Sequence, residues 1–207
     1  IDKTDEIDEI DEIDEVDKKS TTEKKFSEKI IALSKRYRQE IEFIQKDFFR
    51  NNIIKKCCAK LDKNILIPVD RIEHGEILLS YLTTALPDKK VFFIKGEIEN
   101  EERDRIKEIM EKNHGVICIA ISRIFSTGIN IKNLHYIILA LPGKAKNKLI
   151  QTIGRGVRRL NDVTMKTKVV IIDIVDCLVY GLKHFEKRKL IYEEEKFKYQ
   201  ITTIREQ

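Results

Sequence analysis

Val116-Ile117-Cys118-Ile119-Ala120-Ile121 runs for six residues without a polar break. A strand with one face in water alternates apolar and polar, so an unbroken run reads as a strand covered on both faces. Upstream lie two more such runs, Ile65-Leu66-Ile67-Pro68-Val69 and Val91-Phe92-Phe93-Ile94. Downstream lie Tyr136-Ile137-Ile138-Leu139-Ala140 and Val169-Val170-Ile171-Ile172-Asp173-Ile174-Val175. Between them the period shifts to helical, with an amphipathic stretch from His74 to Leu86, a charged one over 100–113 and a third over 144–159. Strand and helix in alternation predict an α/β domain, a doubly wound and mostly parallel sheet with flanking helices. Pro68 is the blemish, because proline brings no donor to a ladder, and it suggests an end position there.

Outside this core the texture differs. Residues 1–20 hold ten acids and three lysines, a net of −7, so residues 21–207 carry +12 of the overall +5. The acidic tract repeats Ile-Asp-Glu, repels itself and buries little, so disorder or a lone solvated helix is expected. Residues 22–62 read as helix, with Phe26, Ile30, Ile31, Leu33, Tyr37, Ile41 and Ile44 near the 3.6 period and a second helix from about Asp47 to Leu61. From Tyr180 the chain is again helical and charged, its Lys183, Lys187, Arg188 and Lys189 making a solvated face or one turned to nucleic acid. The expected organisation is an acidic tract (1–21), a helical lead-in (22–62), the α/β lobe (63–178) and a C-terminal helical extension (179–207).

Composition excludes several classes. The four cysteines, Cys57, Cys58, Cys118 and Cys177, have no C-x-x-C spacing and read as buried free thiols. The four histidines are scattered, so no metal site is expected. No apolar run approaches the roughly 18 residues of a membrane span and no signal peptide is recognisable, so a cytoplasmic protein (host cytoplasm, if viral) without a membrane partner is expected. The basic remainder points to a polyanion.

Two stretches beyond strand ends carry chemistry, since ligands of open α/β sheets collect beyond the carboxyl ends of the strands. Ser126-Thr127-Gly128-Ile129-Asn130 follows the 116–121 run, and its hydroxyls, glycine and free amides suit a phosphate cradle, or a plain capped turn. Ile150-Gln151-Thr152-Ile153-Gly154-Arg155-Gly156-Val157-Arg158-Arg159 follows the 136–140 run. On a helix, Gln151, Arg155 and Arg158 share one face. Guanidinium forks beside glycines suit an anion, phosphate above all, and a solvated face pairing with carboxylates is the competing reading.

Taken together, the two stretches resemble motifs V and VI of the superfamily 2 helicases. Motif VI reads Q-x-x-G-R-x-x-R, matched by Gln151, Gly154, Arg155 and Arg158. Ile65–Asp70 resembles motif IV, and Gly96-Glu97 with Glu102-Arg103 resembles a further element of the same lobe. Within the superfamily the likeness is to UvsW-type phage recombination DNA helicases, through F-S-T-G-I-N-I-K-N-L (125–134) and A-L-S-K-R (32–36). One departure is Asn130, where many members carry aspartate.

The resemblance implies a C-terminal RecA-like lobe, with ATP held between it and an N-terminal RecA-like lobe supplied in cis or in trans. It implies Arg158 as arginine finger with Arg155 beside it, and Gln151, Gly154 and Gly128 as ATP-linked. Ser126, Thr127 and Gly128 would hold the tracking strand, with Lys144 and Lys146 facing nucleic acid. ATP and Mg2+ would be bound mainly by the first lobe. The chain has no G-x-x-x-x-G-K-[ST], and the D-E-x-D string Asp5-Glu6-Ile7-Asp8 lacks the apolar strand that a magnesium box needs before it. The expected partner is DNA, branched or at single/double-strand junctions, in recombination or repair, and the chain alone is expected to be inactive. A non-motor nucleic-acid-binding module of helicase fold and an RNA helicase lobe are the alternatives.

Overall fold

The structure is a computed structural model and describes residues 21–95, 100–122, 133–141, 150 and 169–205. The chain divides into two compact units, Ile1–Phe43 and Ile44–Gln207. Helix α1 (Thr21–Lys46) supplies what is described of the first. Phe26, Ile31 and Phe43 on it are exposed.

The second unit opens with helix α2 (Phe48–Lys60), whose first turn is capped by Asp47: its carboxylate accepts the Arg50 amide at 2.7 Å. Strand β1 (Ile65–Val69) follows, then helix α3 (Ile72–Ala85), β2 (Val91–Ile94), helix α4 (Asn100–Lys112), β3 (Ile117–Ile121), β4 (Tyr136–Leu139), β5 (Val170–Asp173) and helix α5 (Val179–Glu194). All five strands are parallel, in the order β2-β3-β1-β4-β5. The unbroken apolar runs therefore mean what they predicted, a parallel sheet covered on both faces.

Side-chain alternation sorts the core into two layers. Ile65, Ile67, Val69, Ile117, Ile119 and Ile138 face helices α2 and α3 through Ile54, Leu78 and Leu82. Leu66, Cys118, Ala120, Ile137 and Leu139 face α4 and α5 through Met110, Ile191 and Tyr192.

The position of Pro68 corrects the sequence reading. Its strand is not at an edge of the sheet: β1 is the middle strand of five, paired on both sides. Proline is tolerated there because of the side its nitrogen faces. The Ile65 amide donates to the Val116 carbonyl at 2.9 Å, so odd-numbered amides of β1 face β3 and even-numbered positions face β4. The β1–β4 ladder stops at Leu66↔Ile137, whereas β1–β3 runs through Val69↔Ile121. Pro68 thus withholds a donor only where the ladder to β4 has already ended. The end it marks is that of one ladder.

At the opposite, amino end of the sheet, buried Asn64 ties the elements together. Its amide nitrogen donates to the carbonyls of Met110, Asn113 and Asn133, and its side-chain oxygen accepts the Val116 amide at 3.0 Å.

The thiols differ from expectation in part. Cys58 and Cys118 are buried and pushed up to about 12 by desolvation, but Cys57 is half-buried and Cys177, in the connection after β5, is exposed.

Candidate functional site

The carboxyl rim of the sheet is where the sequence puts its chemistry, and the strand order gives that rim its crevice. The connection leaving β1 heads toward β2, and the one leaving β4 heads toward β5. Neighbouring strands whose outgoing connections part in this way leave an opening between them, the usual ligand position in such sheets. On this side the β1–β4 ladder stops short of the strand ends, at Leu66↔Ile137.

Arg50 of α2 fills the base of this opening. It is 3% exposed. Its Nη2 donates to the Ala140 carbonyl at 2.9 Å and its Nε to Asp176 Oδ1 at 2.7 Å. The Tyr136 amide donates to Asn64 O, so that side of β4 faces β1, and the same alternation aims the Ala140 carbonyl into the gap. One guanidinium therefore joins α2, the end of β4 and the segment after β5. Such a buried pair adds little against an apolar replacement, but removing one partner strands a charge and costs about 3–5 kcal/mol. Among the described residues Arg50 Nη1 has no hydrogen-bond partner. Neither has either ring nitrogen of His74, a fully buried residue in the first turn of α3. Burial, with the Arg50 charge second, lowers the His74 pKa to about 3, so the ring is neutral.

A second arginine holds the end of β5 from the other face. Arg188 of α5, 2% exposed, donates through Nε to Asp173 Oδ2 at 2.7 Å, and the Tyr192 hydroxyl donates to the same oxygen at 2.7 Å. Desolvation and then the Asp173 charge raise the Tyr192 pKa. Arg188 is thus part of the core, which corrects its reading as one of a charged, solvated run. The available signal was its spacing. His184, Arg188, Ile191 and Tyr192 form one buried stripe at helical period. At the rim itself, the Ser122 hydroxyl donates to Asp70 at 3.2 Å, linking the ends of β3 and β1.

The sequence-derived site residues, Ser126, Thr127, Gly128, Lys144, Lys146, Gln151, Gly154, Arg155 and Arg158, lie outside the described residues, as does most of the 144–159 helical stretch. Their described chain neighbours do bear on them. Ser122 precedes the 123–132 segment and Leu141 precedes 142–149. Both stand at the carboxyl rim, on the strands flanking β1. Ile150, the first residue of the arginine stretch, is helical and fully buried, in one cluster with Leu139, Leu141, Ile191 and Tyr192. On the charged helix α4, Glu108 pairs with Lys112 one turn on. Arg50, Asp176 and His74 were not legible as site residues. Arg50 and Asp176 are 126 positions apart, and nothing local marks either.

Among the described residues no three His, Cys, Asp or Glu side chains converge to hold a metal ion. No helix among them is long and apolar enough to cross a membrane.

A parallel five-stranded sheet with this order, covered on both faces and open at the β1/β4 switch, is the RecA-like architecture of a helicase second lobe. The helicase conserved C-terminal domain matches residues 47–159, and the chain belongs to that family. One relative is the ATP-dependent DNA helicase uvsW of Enterobacteria phage T4, 33% identical over 186 residues, which make up 82% of this chain and 37% of the phage protein. The crystal structure of T4 UvsW superposes with a TM-score of 0.68 at 32% identity, over 81% of this chain and 37% of that one. The C-terminal domain of the DEAD-box protein Dbp5 shares the fold alone, with a TM-score of 0.52 at 16% identity over 70% of this chain and 77% of that one. The chain thus spans well under half the length of its phage relative.

Proposed function

We propose that this chain is the second motor lobe of an ATP-dependent DNA helicase or translocase acting on branched recombination or repair DNA. The observation that supports it is the exit of both motif-bearing segments from the carboxyl rim, at Ser122 and Leu141, on either side of β1. In this reading Arg158 is the arginine finger, countering charge that builds on the transferring phosphoryl group, with Arg155 beside it. Such a finger contributes about 10³–10⁵ in rate, and only when another lobe presents the nucleotide. Gln151, Gly154 and Gly128 link this to ATP, whose phosphates and Mg2+ are held mainly by the first lobe. Ser126, Thr127 and Gly128 cradle a backbone phosphate of the strand being tracked, and Lys144 and Lys146 add charge along it.

The test separates the lobes. DNA-stimulated ATP hydrolysis is measured for this chain alone, for a UvsW-type first lobe alone, and for the two joined in one polypeptide. Hydrolysis by the joined form only is expected. A joined form that binds DNA yet hydrolyses no ATP contradicts the motor reading and leaves a nucleic-acid-binding module.

A further inference from the structure

Three observations converge on one residue outside both motifs. The ladder between β1 and β4 ends at Leu66↔Ile137, three positions before the strand β1 itself does and two before a proline whose missing donor faces β4. Beyond that point the end of β4 is paired on its β5 side alone, through Leu139↔Asp173, and Leu141 leads directly into the 142–168 segment that carries the arginines. Arg50 takes over where the ladder stops. Its Nη2 holds the Ala140 carbonyl and its Nε holds Asp176, which fastens the connection between β5 and α5 to the same guanidinium.

The neighbouring backbone is shaped to allow this. A Cβ on Gly181, in the first turn of α5, would stand 2.3 Å from the Asp176 carbonyl oxygen, so only glycine lets the helix approach Asp176 so closely. On the other side, Asp47 caps the first turn of α2 through the Arg50 amide and fixes the helical position from which the side chain reaches out. A lysine at 50 offers a single ammonium with no fixed fork, which cannot hold two acceptors in one plane.

We propose that Arg50 is a positioning residue for ATP hydrolysis: it sets the exit of the chain from β4 at the β1/β4 opening and thereby the placement of the arginine finger. The inference rests on the motor reading above. Displacement of a reacting group by about 1 Å costs on the order of 10²-fold in rate, so a small change at Ala140 is enough to be read kinetically.

The experiment uses the full-length protein with both lobes and measures DNA-stimulated kcat, KM for ATP and thermal melting for Arg50→Lys, Arg158→Ala and the double variant. Arg50→Lys is expected to stay folded and lose on the order of 10–10²-fold in kcat. KM for ATP stays within about twofold, as for an interaction made in the transition state. The double variant should be no slower than Arg158→Ala alone, because a finger that is absent cannot be misplaced. A folded Arg50→Lys protein with unchanged kcat overturns the inference, and so do losses that multiply in the double variant. Asp176→Asn carries the same cycle if Arg50→Lys does not fold, and failure of both to fold makes the pair a purely structural requirement, which also overturns it. Full activity of Arg158→Ala would instead bring down the motor reading itself.

Discussion

His74 sits in the first turn of α3 with no exposure and, among the described residues, no partner for either nitrogen, held neutral with a pKa lowered to about 3. Unfolded, the same ring titrates near 6.5. Between those values the unfolded chain binds a proton that the folded chain refuses, so stability is fully present above pH 6.5 and is lost as pH falls toward 3. The slope approaches about 1.4 kcal/mol per pH unit in that window. Denaturant midpoints at pH 7 and pH 5 should show the drop, and His74→Phe should flatten it; an unchanged slope in that variant would assign the drop to other groups. Asn64 is the opposite case, a buried amide with every group engaged. Asn64→Ala strands the Val116 amide and takes one donor from three carbonyls, and should cost about 1–3 kcal/mol, read as a lower melting temperature. Neither role is visible in the sequence, where Asn64 follows Asp62-Lys63 and His74 stands between Glu73 and Gly75-Glu76. Partnership across 46 to 69 positions has no local signature.

At the scale of elements, the chain announces more of itself. The apolar runs at 65–69 and 91–94 are strands β1 and β2 with the same ends, and the run at 116–121 is β3 less one residue. Burial on both faces removes polar breaks, and that is a property of each segment alone. Strand order is not such a property, so Pro68 suggested an end where the structure has the middle strand. Helix packing leaves other marks. Gly75 of α3 lies against the Phe93 ring, with a hypothetical Cβ 2.1 Å from the nearest ring atom. Gly75→Ala gains up to about 1 kcal/mol of helix propensity but must displace a packed ring, at about 1–3 kcal/mol. A net fall in melting temperature is expected; a rise would show that Phe93 swings aside freely. Asp47→Ala, which removes the α2 cap, should cost about 1 kcal/mol in the same measurement.

For the whole molecule, the motif match at Gln151, Gly154, Arg155 and Arg158 named the family before any coordinate did, and the family match over 47–159 agrees. What lay beyond the sequence was the frame: two buried arginines, Arg50 and Arg188, each paired with a carboxylate beyond or at the end of β5, from helices on opposite faces of the sheet. Charge is also a whole-molecule property, −7 over residues 1–20 against +12 over the remainder. If Lys144 and Lys146 meet backbone phosphates, DNA affinity falls with salt, and replacing either by alanine lowers the log–log slope by about 0.9 without regard to base sequence. A slope untouched by both replacements would leave them as solvated surface. The most direct measurement remains DNA-stimulated ATP hydrolysis by the two lobes joined, with and without Arg158→Ala. A loss of about 10³-fold or more with the fold intact is the expected result. Hydrolysis at the unsubstituted rate would contradict the assignment of this lobe as the one that supplies the finger.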